Sequence, residues 1–243
     1  MRIAARTDVG QMRAVNEDCY SVGELPGGFV WAVICDGMGG AVGGDVASQS
    51  AVRLISEAIT SSFQEHMSSR SVKNLLVNAL DNANTRVFDL GQANEDLTGM
   101  GTTVVAAIVT GDRVYIAHAG DSRAYLFSAG EMMQLTKDHS VVQAMVDTGQ
   151  LTQAEANVHP RKNLITRVLG VEETLEVDYC EEEFRPGSVL LLCTDGLTNC
   201  VDMEQVPLML RTTGFANLAQ DLVDLANRNG GTDNITVAAV ANI

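Results

Sequence analysis

The chain has 243 residues and a mass of 25.9 kDa, which is enough to bury a sizeable hydrophobic core. A hydrophobic fraction of 46% with 19% charged residues is ordinary for a folded globular protein, so disorder is not expected. The formal net charge of −15 argues against sequence-independent binding to nucleic acid or to an anionic membrane, because both need a basic face.

Apolar periodicity predicts the secondary structure in chain order. The first third of the chain is predicted to contain strands over 2–7, 18–22 and 29–35 and amphipathic helices over 45–64 and 71–90. The middle is predicted to be a β block with strands over 102–110, 113–119, 124–127 and 132–135. The last third is predicted to contain strands over 174–179, 188–194 and 234–241 and helices over 203–212 and 215–229.

This order of elements favours antiparallel sheet layers covered by helices. A doubly wound parallel fold needs strands and helices to alternate throughout, and residues 100–135 break that alternation. The polar segment 138–170 is expected to leave the sheet and to frame a site, as mobile connections often do. Because no linker, repeat or low-complexity tract interrupts the chain, we expect a single domain over residues 1–243.

The five cysteines form no C-x-x-C pair, which argues against a zinc or redox site. Cys35 and Cys193 lie inside apolar runs, where a thiol behaves as a small hydrophobe. We therefore expect reduced thiols and a cytoplasmic location. The amino-terminal residues lack the apolar segment of a signal peptide, and no apolar run is long enough to span a bilayer, so membrane insertion is not expected.

Aspartates at the ends of apolar strands are the main chemical signal. Asp36, Asp195 and Asp233 each border such a run, and Asp121 follows another strand beside a glycine. Any one of them would be typical of a turn or a helix cap. Several carboxylates on one rim would repel each other, and divalent cations are the usual means of offsetting that repulsion. The sequence therefore predicts a metal site.

The surroundings of these aspartates refine that hypothesis. Five glycines within residues 37–44 indicate close approach of the backbone, and ligation of a metal by the Gly37 carbonyl fits better than a P-loop, because no Gly-Lys-Ser/Thr follows. Arg13 could be a surface ion-pair residue or a bidentate phosphate ligand, and the sequence leaves both open. No pattern of a serine or cysteine nucleophile is present, so water is the expected nucleophile.

Six motifs resemble those of the metal-dependent serine/threonine protein phosphatases of the PPM (PP2C-type) family, in its short bacterial form. The resemblance runs from residue 2 to the carboxyl terminus. The motifs are, in order, Thr7-Asp8-x-Gly10-x-x-Arg13-x-x-Asn16-Glu17-Asp18, Asp36-Gly37-Met38-Gly39-Gly40, Gly101-Thr102-Thr103, Gly120-Asp121-Ser122-Arg123, Asp195-Gly196-Leu197 and Gly231-Thr232-Asp233-Asn234.

The resemblance implies an α+β fold in which two antiparallel β-sheets form a central sandwich flanked by helix pairs (α-β-β-α), with residues 138–170 as a flap. It also implies two Mn²⁺ or Mg²⁺ ions at one end of the sandwich. Asp36 would bridge the ions and the Gly37 carbonyl would bind one of them, while Asp195 and Asp233 would hold the other.

The remaining roles follow from the same resemblance. Glu17 would act through a metal-coordinated water, Asp18 would support the cluster, and Arg13 would bind the substrate phosphate. Bacterial relatives can take a third, weaker metal, for which Asp121 and Asp195 would be the ligands. Arg13, Asp36 and Asp195 are thus the residues expected to carry catalysis.

The activity implied is hydrolysis of phosphoserine and phosphothreonine in proteins by a metal-activated water. Animal members of the family carry a histidine two residues after the bridging aspartate, proposed as general acid, and Met38 stands there in this chain. The leaving-group proton would then come from water or from a flap group such as His159, and the sequence does not choose between them.

Two alternatives compete with this interpretation. One is a catalytically silent module that binds phosphopeptides, although inactive members usually lose metal aspartates and none is missing here. The other is a calcium-binding structural protein, which would show clustered D-x-D-x-D-G loops that this sequence lacks. The expected partners are phosphorylated proteins, among them a cognate eukaryotic-like Ser/Thr kinase and its substrates, and we expect the chain to be a monomer.

Overall fold

Two antiparallel β-sheets packed face to face form the centre of the molecule. The computed structural model describes residues 1–243, except that the side chains of residues 40–42 are not described. With strands numbered along the chain, the first sheet has the spatial order β1 (Arg2–Asp8), β11 (Ile235–Ala241), β10 (Val189–Cys193), β7 (Arg123–Ser128) and β8 (Glu131–Gln134). The second sheet has the order β2 (Asp18–Leu25), β3 (Phe29–Met38), β5 (Val104–Val109), β6 (Arg113–Ala119) and β9 (Asp178–Glu183), with β4 (Gly101–Thr102) paired to the end of β3.

Helices cover the outer face of each sheet. The second sheet is covered by the long helices α1 (Gly40–Ser62) and α2 (Ser69–Ala93). The first sheet is covered by α5 (Asp195–Thr198), α6 (Val206–Thr212) and α7 (Leu218–Arg228). The connection between β8 and β9 contains two short helices, α3 (Val141–Asp147) and α4 (Gln153–Asn157).

The apolar runs of the central strands are explained by burial on both faces. In β3, Val30, Ala32 and Ile34 pack between the two sheets, while Trp31 and Val33 pack against the helices. Because successive side chains of a strand point to opposite faces, a strand covered on both sides needs an unbroken apolar sequence. The predicted α+β sandwich with helix layers on both sides is confirmed.

Two details of the predicted secondary structure are wrong. The strand expected over 174–179 lies at Asp178–Glu183, because the Asn84 side chain holds the carbonyls of Glu172 and Glu173 in a loop, at 3.0 and 3.2 Å. Pairing with β6 extends only from Asp178, opposite His118. Helix α1 begins at Gly40, five residues before the predicted start at residue 45 and inside the glycine-rich stretch 37–44.

All five cysteines are free thiols, as expected. Within the described part of the chain, no helix combines the length and the apolar character that crossing a membrane requires.

The layer between the sheets should contribute strongly to stability. Leu192 of β10 is fully buried in it, so we expect Leu192→Ala to lower the free energy of unfolding by about 2–5 kcal/mol through lost burial and a residual cavity. Leu208 in α6 is 64% exposed, and Leu208→Ala should change stability by no more than about 0.5 kcal/mol. Urea titration followed by circular dichroism measures both, and equal losses in the two variants would contradict the layered core.

Candidate metal centre

Strands from both sheets bring acidic side chains to one end of the sandwich. Asp18 begins β2 and lies directly opposite Asp36 near the end of β3. Asp195 begins α5 just after β10, and Asp233 precedes β11, the neighbour of β10 in the first sheet. Asp121 lies in the tight turn between β6 and β7.

The backbone around Asp36 is fixed by threonines of the neighbouring strand. The Asp36 N–H donates to Thr103 Oγ1 at 3.0 Å, and the Asp36 carbonyl accepts from the Thr103 N–H at 2.9 Å. The Thr102 hydroxyl donates to the same carbonyl at 2.9 Å. These bonds use the backbone of Asp36 and leave its carboxylate free to point at the cluster.

A chain of hydroxyl groups supports Asp18 from the opposite sheet. Asp18 Oδ2 accepts from Thr194 Oγ1 at 2.9 Å and from Thr236 Oγ1 at 2.7 Å. Thr236 Oγ1 in turn contacts Thr7 Oγ1 at 2.8 Å, which accepts from Asn16 Nδ2 at 2.9 Å. Asp18 belongs to the second sheet, Thr236 lies in β11 of the first sheet and Thr194 directly follows β10, so these bonds fix the two sheets relative to each other at the site.

Asn234 organises the amino-terminal loop that carries Arg13 and Glu17. Its Nδ2 donates to the carbonyls of Val9 and Val15 at 2.9 and 3.0 Å, and its Oδ1 accepts from the Glu17 N–H at 2.8 Å. The loop is therefore held along most of its length by one amide side chain located next to Asp233.

Arg13 lies at the open rim of the cluster. Its Nη2 donates to Asp233 Oδ2 at 2.8 Å, and 49% of its side chain remains exposed. The hydrogen bond to Asp233, together with the charges of Glu17 and Asp36, raises the pKa of Arg13, so the guanidinium stays charged. The exposed part of its planar fork is available to an anion entering from solvent.

Gly37 sits where three backbone segments meet. Its N–H donates to the Glu17 carbonyl at 3.1 Å. A Cβ atom added at Gly37 would overlap the carbonyl of Gly44 and would lie 2.6 Å from the Glu17 carbonyl oxygen. Only glycine fits this position, so the close approach of the backbone expected from the glycine-rich stretch is present here.

The electrostatics of the cluster are dominated by burial and by mutual repulsion. Burial, followed by the charges of Asp18, Asp195, Asp121 and Asp233, raises the pKa of Asp36 well above its usual range. Burial outweighs two hydroxyl hydrogen bonds and raises the pKa of Asp18 to about 7. Burial and the Asp195 charge raise the pKa of Asp121 to about 7.

The unused oxygens of the cluster have the chemistry of cation ligands. Asp18 Oδ1, Asp121 Oδ1 and Asp195 Oδ1 are buried and have no hydrogen-bond partner among the described residues. A buried charged oxygen without a partner is costly, and a hard divalent cation that prefers oxygen ligands would satisfy it. The residues present therefore fit a Mg²⁺- or Mn²⁺-type ion.

The segment 138–170 closes one side of a cavity that reaches the cluster. The cavity has a volume of about 650 Å³, and its walls include Asp121, Asp195 and Lys162. Lys162 Nζ donates to Asn199 Oδ1 at 2.9 Å, and Asn199 Nδ2 donates to Asp195 Oδ2 at 3.0 Å. One connection from the segment to the acidic cluster thus passes through the Asn199 amide side chain.

Several contributors to the site were given no role from the sequence. Asn234 belongs to a motif and Thr194 is the direct neighbour of a motif aspartate, so their positions were a usable signal, but Thr236 and Asn199 carry none. His159 was considered as a proton donor. Its Nδ1 accepts a hydrogen bond from the backbone N–H of Arg161 at 3.1 Å. Met38 is partly buried at the end of β3 and has no proton to give.

A sandwich of two antiparallel sheets between helix layers, with converging aspartates and an exposed arginine at one end, is the arrangement of a metal-dependent phosphatase. Comparison with known families is specific: the model of the protein phosphatase 2C family matches residues 11–236. The chain belongs to that family, so the predicted membership is confirmed.

Individual relatives agree with this assignment. The chain is 41% identical over 243 residues to the serine/threonine phosphatase stp of Listeria innocua, with 99% of this chain and 95% of that protein covered. The S. agalactiae serine/threonine phosphatase superimposes with a TM-score of 0.92 at 35% identity, covering 100% of this chain and 99% of that one. The catalytic domain of the phosphatase PstP, in complex with two manganese ions, superimposes with a TM-score of 0.84 at 35% identity and covers 98% and 96% of the two chains. These findings confirm the prediction at the level of divalent-metal dependence.

The raised carboxyl pKa values give the metal-free protein a distinct pH dependence. Between about pH 4 and pH 7 the folded chain retains protons on Asp18 and Asp121 that the unfolded chain releases, so the contribution of these two groups to stability falls as the pH rises. We expect the melting temperature in EDTA to be lower at pH 8 than at pH 5.5, and Mn²⁺ to restore more stability at pH 8. Differential scanning fluorimetry tests this, and in the Asp121→Asn variant the melting temperature in EDTA should depend less on pH. A melting temperature in EDTA that rises towards pH 8 would contradict it.

Proposed function

We propose that this chain is a protein serine/threonine phosphatase that hydrolyses phosphoserine and phosphothreonine at a centre of two Mn²⁺ or Mg²⁺ ions. The observation that carries the proposal is the convergence of buried, unpartnered carboxylate oxygens from both sheets beside an exposed arginine. Membership in the protein phosphatase 2C family supports the reaction class. The bound ions would acidify water, orient the phosphoryl oxygens and neutralise developing charge.

The residues that would hold the ions are those at the converging strand ends. We assign Asp36 as the shared ligand of both ions, the Gly37 carbonyl to one, and Asp195 and Asp233 to the other, with Glu17 acting through an intervening water. Support for this assignment comes from the charges near the site: burial and the charges of Asp195 and Asp233 raise the pKa of Asp36, and burial and the charge of Asp233 raise the pKa of Asp195. The backbone contact between Gly37 and Glu17 supports it too.

Asp18 and Asp121 have secondary roles in the proposal. Asp18 would fix the cluster through its two threonine hydrogen bonds. Asp121 and Asp195 would supply a third, weaker metal site. Each of them carries a buried oxygen without a hydrogen-bond partner, and burial together with the Asp195 charge raises the pKa of Asp121.

Arg13 would capture the phosphoryl group. One of its nitrogens is held by Asp233, so the guanidinium is oriented before substrate arrives, while the exposed part of the fork can bind two phosphate oxygens. Binding there would place the phosphoester at the mouth of the cluster. The serine alkoxide must take its proton from a group other than residue 38, because Met38 carries none.

The proposal extends to organisation and partners. Residues 1–243 would act as one catalytic domain and as a monomer, with residues 138–170 as the flap over the cavity. A Ser/Thr kinase and the proteins it phosphorylates would be its physiological substrates. The alternative of a silent phosphopeptide-binding module is not favoured, because the chain retains the full set of acidic residues expected for a metal centre.

Hydrolysis of a phosphothreonine peptide and of p-nitrophenyl phosphate tests the function directly. We expect activity with Mn²⁺ or Mg²⁺, none in EDTA, and a fall in kcat on the order of a thousandfold in Asp36→Asn and Asp195→Asn, because each substitution removes several kcal/mol of charge stabilisation. Asp89→Asn, on the exposed face of α2, is the matched control and should retain wild-type kcat. Metal-independent turnover, or full activity in Asp36→Asn, would refute the proposal.

Arg13 should affect substrate binding more than the chemical step. We expect Arg13→Ala to raise KM for the phosphopeptide by about 10- to 100-fold, the equivalent of one or two charge-assisted hydrogen bonds, with a smaller change in kcat. Arg53→Ala, which removes an exposed cation from α1, is the control. An unchanged KM in Arg13→Ala would remove Arg13 from the phosphate site.

A further inference from the structure

Two stacked histidines lie beside the acidic cluster but outside it. The rings of His118 in β6 and His139, which precedes α3, are nearly parallel, with centroids 4.8 Å apart and an interplanar angle of 8°. Both residues are buried, at 3% and 7% exposure. His139 Nε2 lies 3.2 Å from Asp178 Oδ2 on β9.

The geometry does not suit a metal site, although His118, His139 and Asp178 offer ligand atoms within 4.8 Å of one another. The lone pairs of an imidazole lie in the ring plane, so two parallel stacked rings cannot both point at one ion. Arg167 Nη1 also lies 2.7 Å from Asp178 Oδ1 and 3.0 Å from His139 Nε2, and its positive charge occupies the place a cation would take.

The hydrogen bonds of His139 define its proton position. The backbone N–H of Gly120 donates to His139 Nδ1 at 3.1 Å, so that nitrogen carries no proton. The ring proton is therefore on Nε2, where Asp178 accepts it. With one nitrogen on the backbone and the other on a carboxylate, the ring is neutral and fixed in orientation.

His139 holds the turn that carries Asp121 by two bonds. Besides accepting from the Gly120 N–H, it donates its own backbone N–H to the Gly120 carbonyl at 2.9 Å. Gly120 has a φ of +112°, and an added Cβ there would lie 2.6 Å from Cβ of Thr103, the residue whose hydroxyl accepts from the Asp36 N–H. The turn is thus fixed between His139 on one side and Thr103, which binds the backbone of Asp36, on the other.

We propose that His139 is a positioning residue that sets the place of Asp121, with Asp178 and Arg167 orienting the imidazole. The inference rests on the ligand role proposed above for Asp121. His139 and Arg167 lie at the two ends of segment 138–170, so the same contacts join that segment to the turn. Hydrogen-bond partners of this kind contribute about 10- to 100-fold to metal affinity when they orient a ligand.

Two substitutions separate the two functions of the ring. The Asn side-chain oxygen can take the place of Nδ1, so His139→Asn retains the bond to Gly120 and loses the bond to Asp178. The Gln side-chain amide takes the place of Nε2, so His139→Gln retains the bond to Asp178 and loses the bond to Gly120. We expect His139→Gln to weaken the Asp121-dependent step of Mn²⁺ binding about tenfold and to speed exchange of the Gly120 amide proton, and His139→Asn to change both much less.

Calorimetric titration with Mn²⁺ and NMR amide exchange on the metal-free protein provide the readouts, and neither needs turnover. In an Asp121→Asn background, His139→Gln should cause no further loss of Mn²⁺ affinity, since both changes act through one carboxylate. Asp178→Ala serves if the histidine variants do not fold, because Asp178 is 43% exposed; it removes the acceptor that orients the imidazole and should speed Gly120 exchange. Glu176→Gln changes a partner of Arg167 but no partner of His139, so it should leave the exchange rate of the Gly120 amide unchanged.

Equal effects of Asn and Gln at position 139, an unchanged Gly120 exchange rate, or an undiminished loss in the Asp121→Asn background would each overturn the inference. An Asp121→Asn variant that binds Mn²⁺ as tightly as the wild type would also overturn the inference, even if the wild-type protein hydrolyses phosphopeptides normally. A wild-type protein without phosphatase activity would instead refute the proposed function, while the binding and exchange results would still decide the role of His139.

Discussion

Repulsion between carboxylates buried at one end of the sandwich is the constraint on which the site depends. Burial raises the pKa of Asp36 most, and the charges of four other aspartates raise it further. Such a cluster is unfavourable by itself and becomes favourable when cations bind, so the fold must hold like charges together before the ligand arrives. The surrounding hydroxyl and amide groups of Thr194, Thr236 and Asn234 perform that task.

The two-sheet architecture explains how these charges are assembled. Each sheet supplies part of the cluster, and the hydrogen bonds of Asp18 to Thr194 and Thr236 cross from one sheet to the other. The layer of apolar side chains between the sheets fixes their separation, and close packing allows little change in it. The position of the acidic groups is therefore set by the packed core, while the exposed Arg13 and the cavity beside Lys162 remain open to solvent.

The sequence predicts those parts of the structure in which a local pattern has one physical meaning. The apolar run from Val30 to Cys35 indicated a strand, and the glycines of 37–44 indicated close approach of the backbone. The strand β9 was misplaced because its Glu-rich sequence has little β preference and its register depends on pairing with β6. His139 and Thr236 carry no local signal, since their partners are distant in the chain and polar residues of their type are common everywhere.

The position of β11 between β1 and β10 has a consequence for the order of folding. Its pairing joins Arg2 to Ala241, a contact that spans nearly the whole chain, so closing the first sheet carries a large entropic cost. The second sheet needs only residues up to β9 and can form earlier during synthesis. Because Asp233 and Asn234 lead directly into β11, the acidic cluster is incomplete until this strand inserts, so the full set of carboxylates comes together only when the first sheet closes.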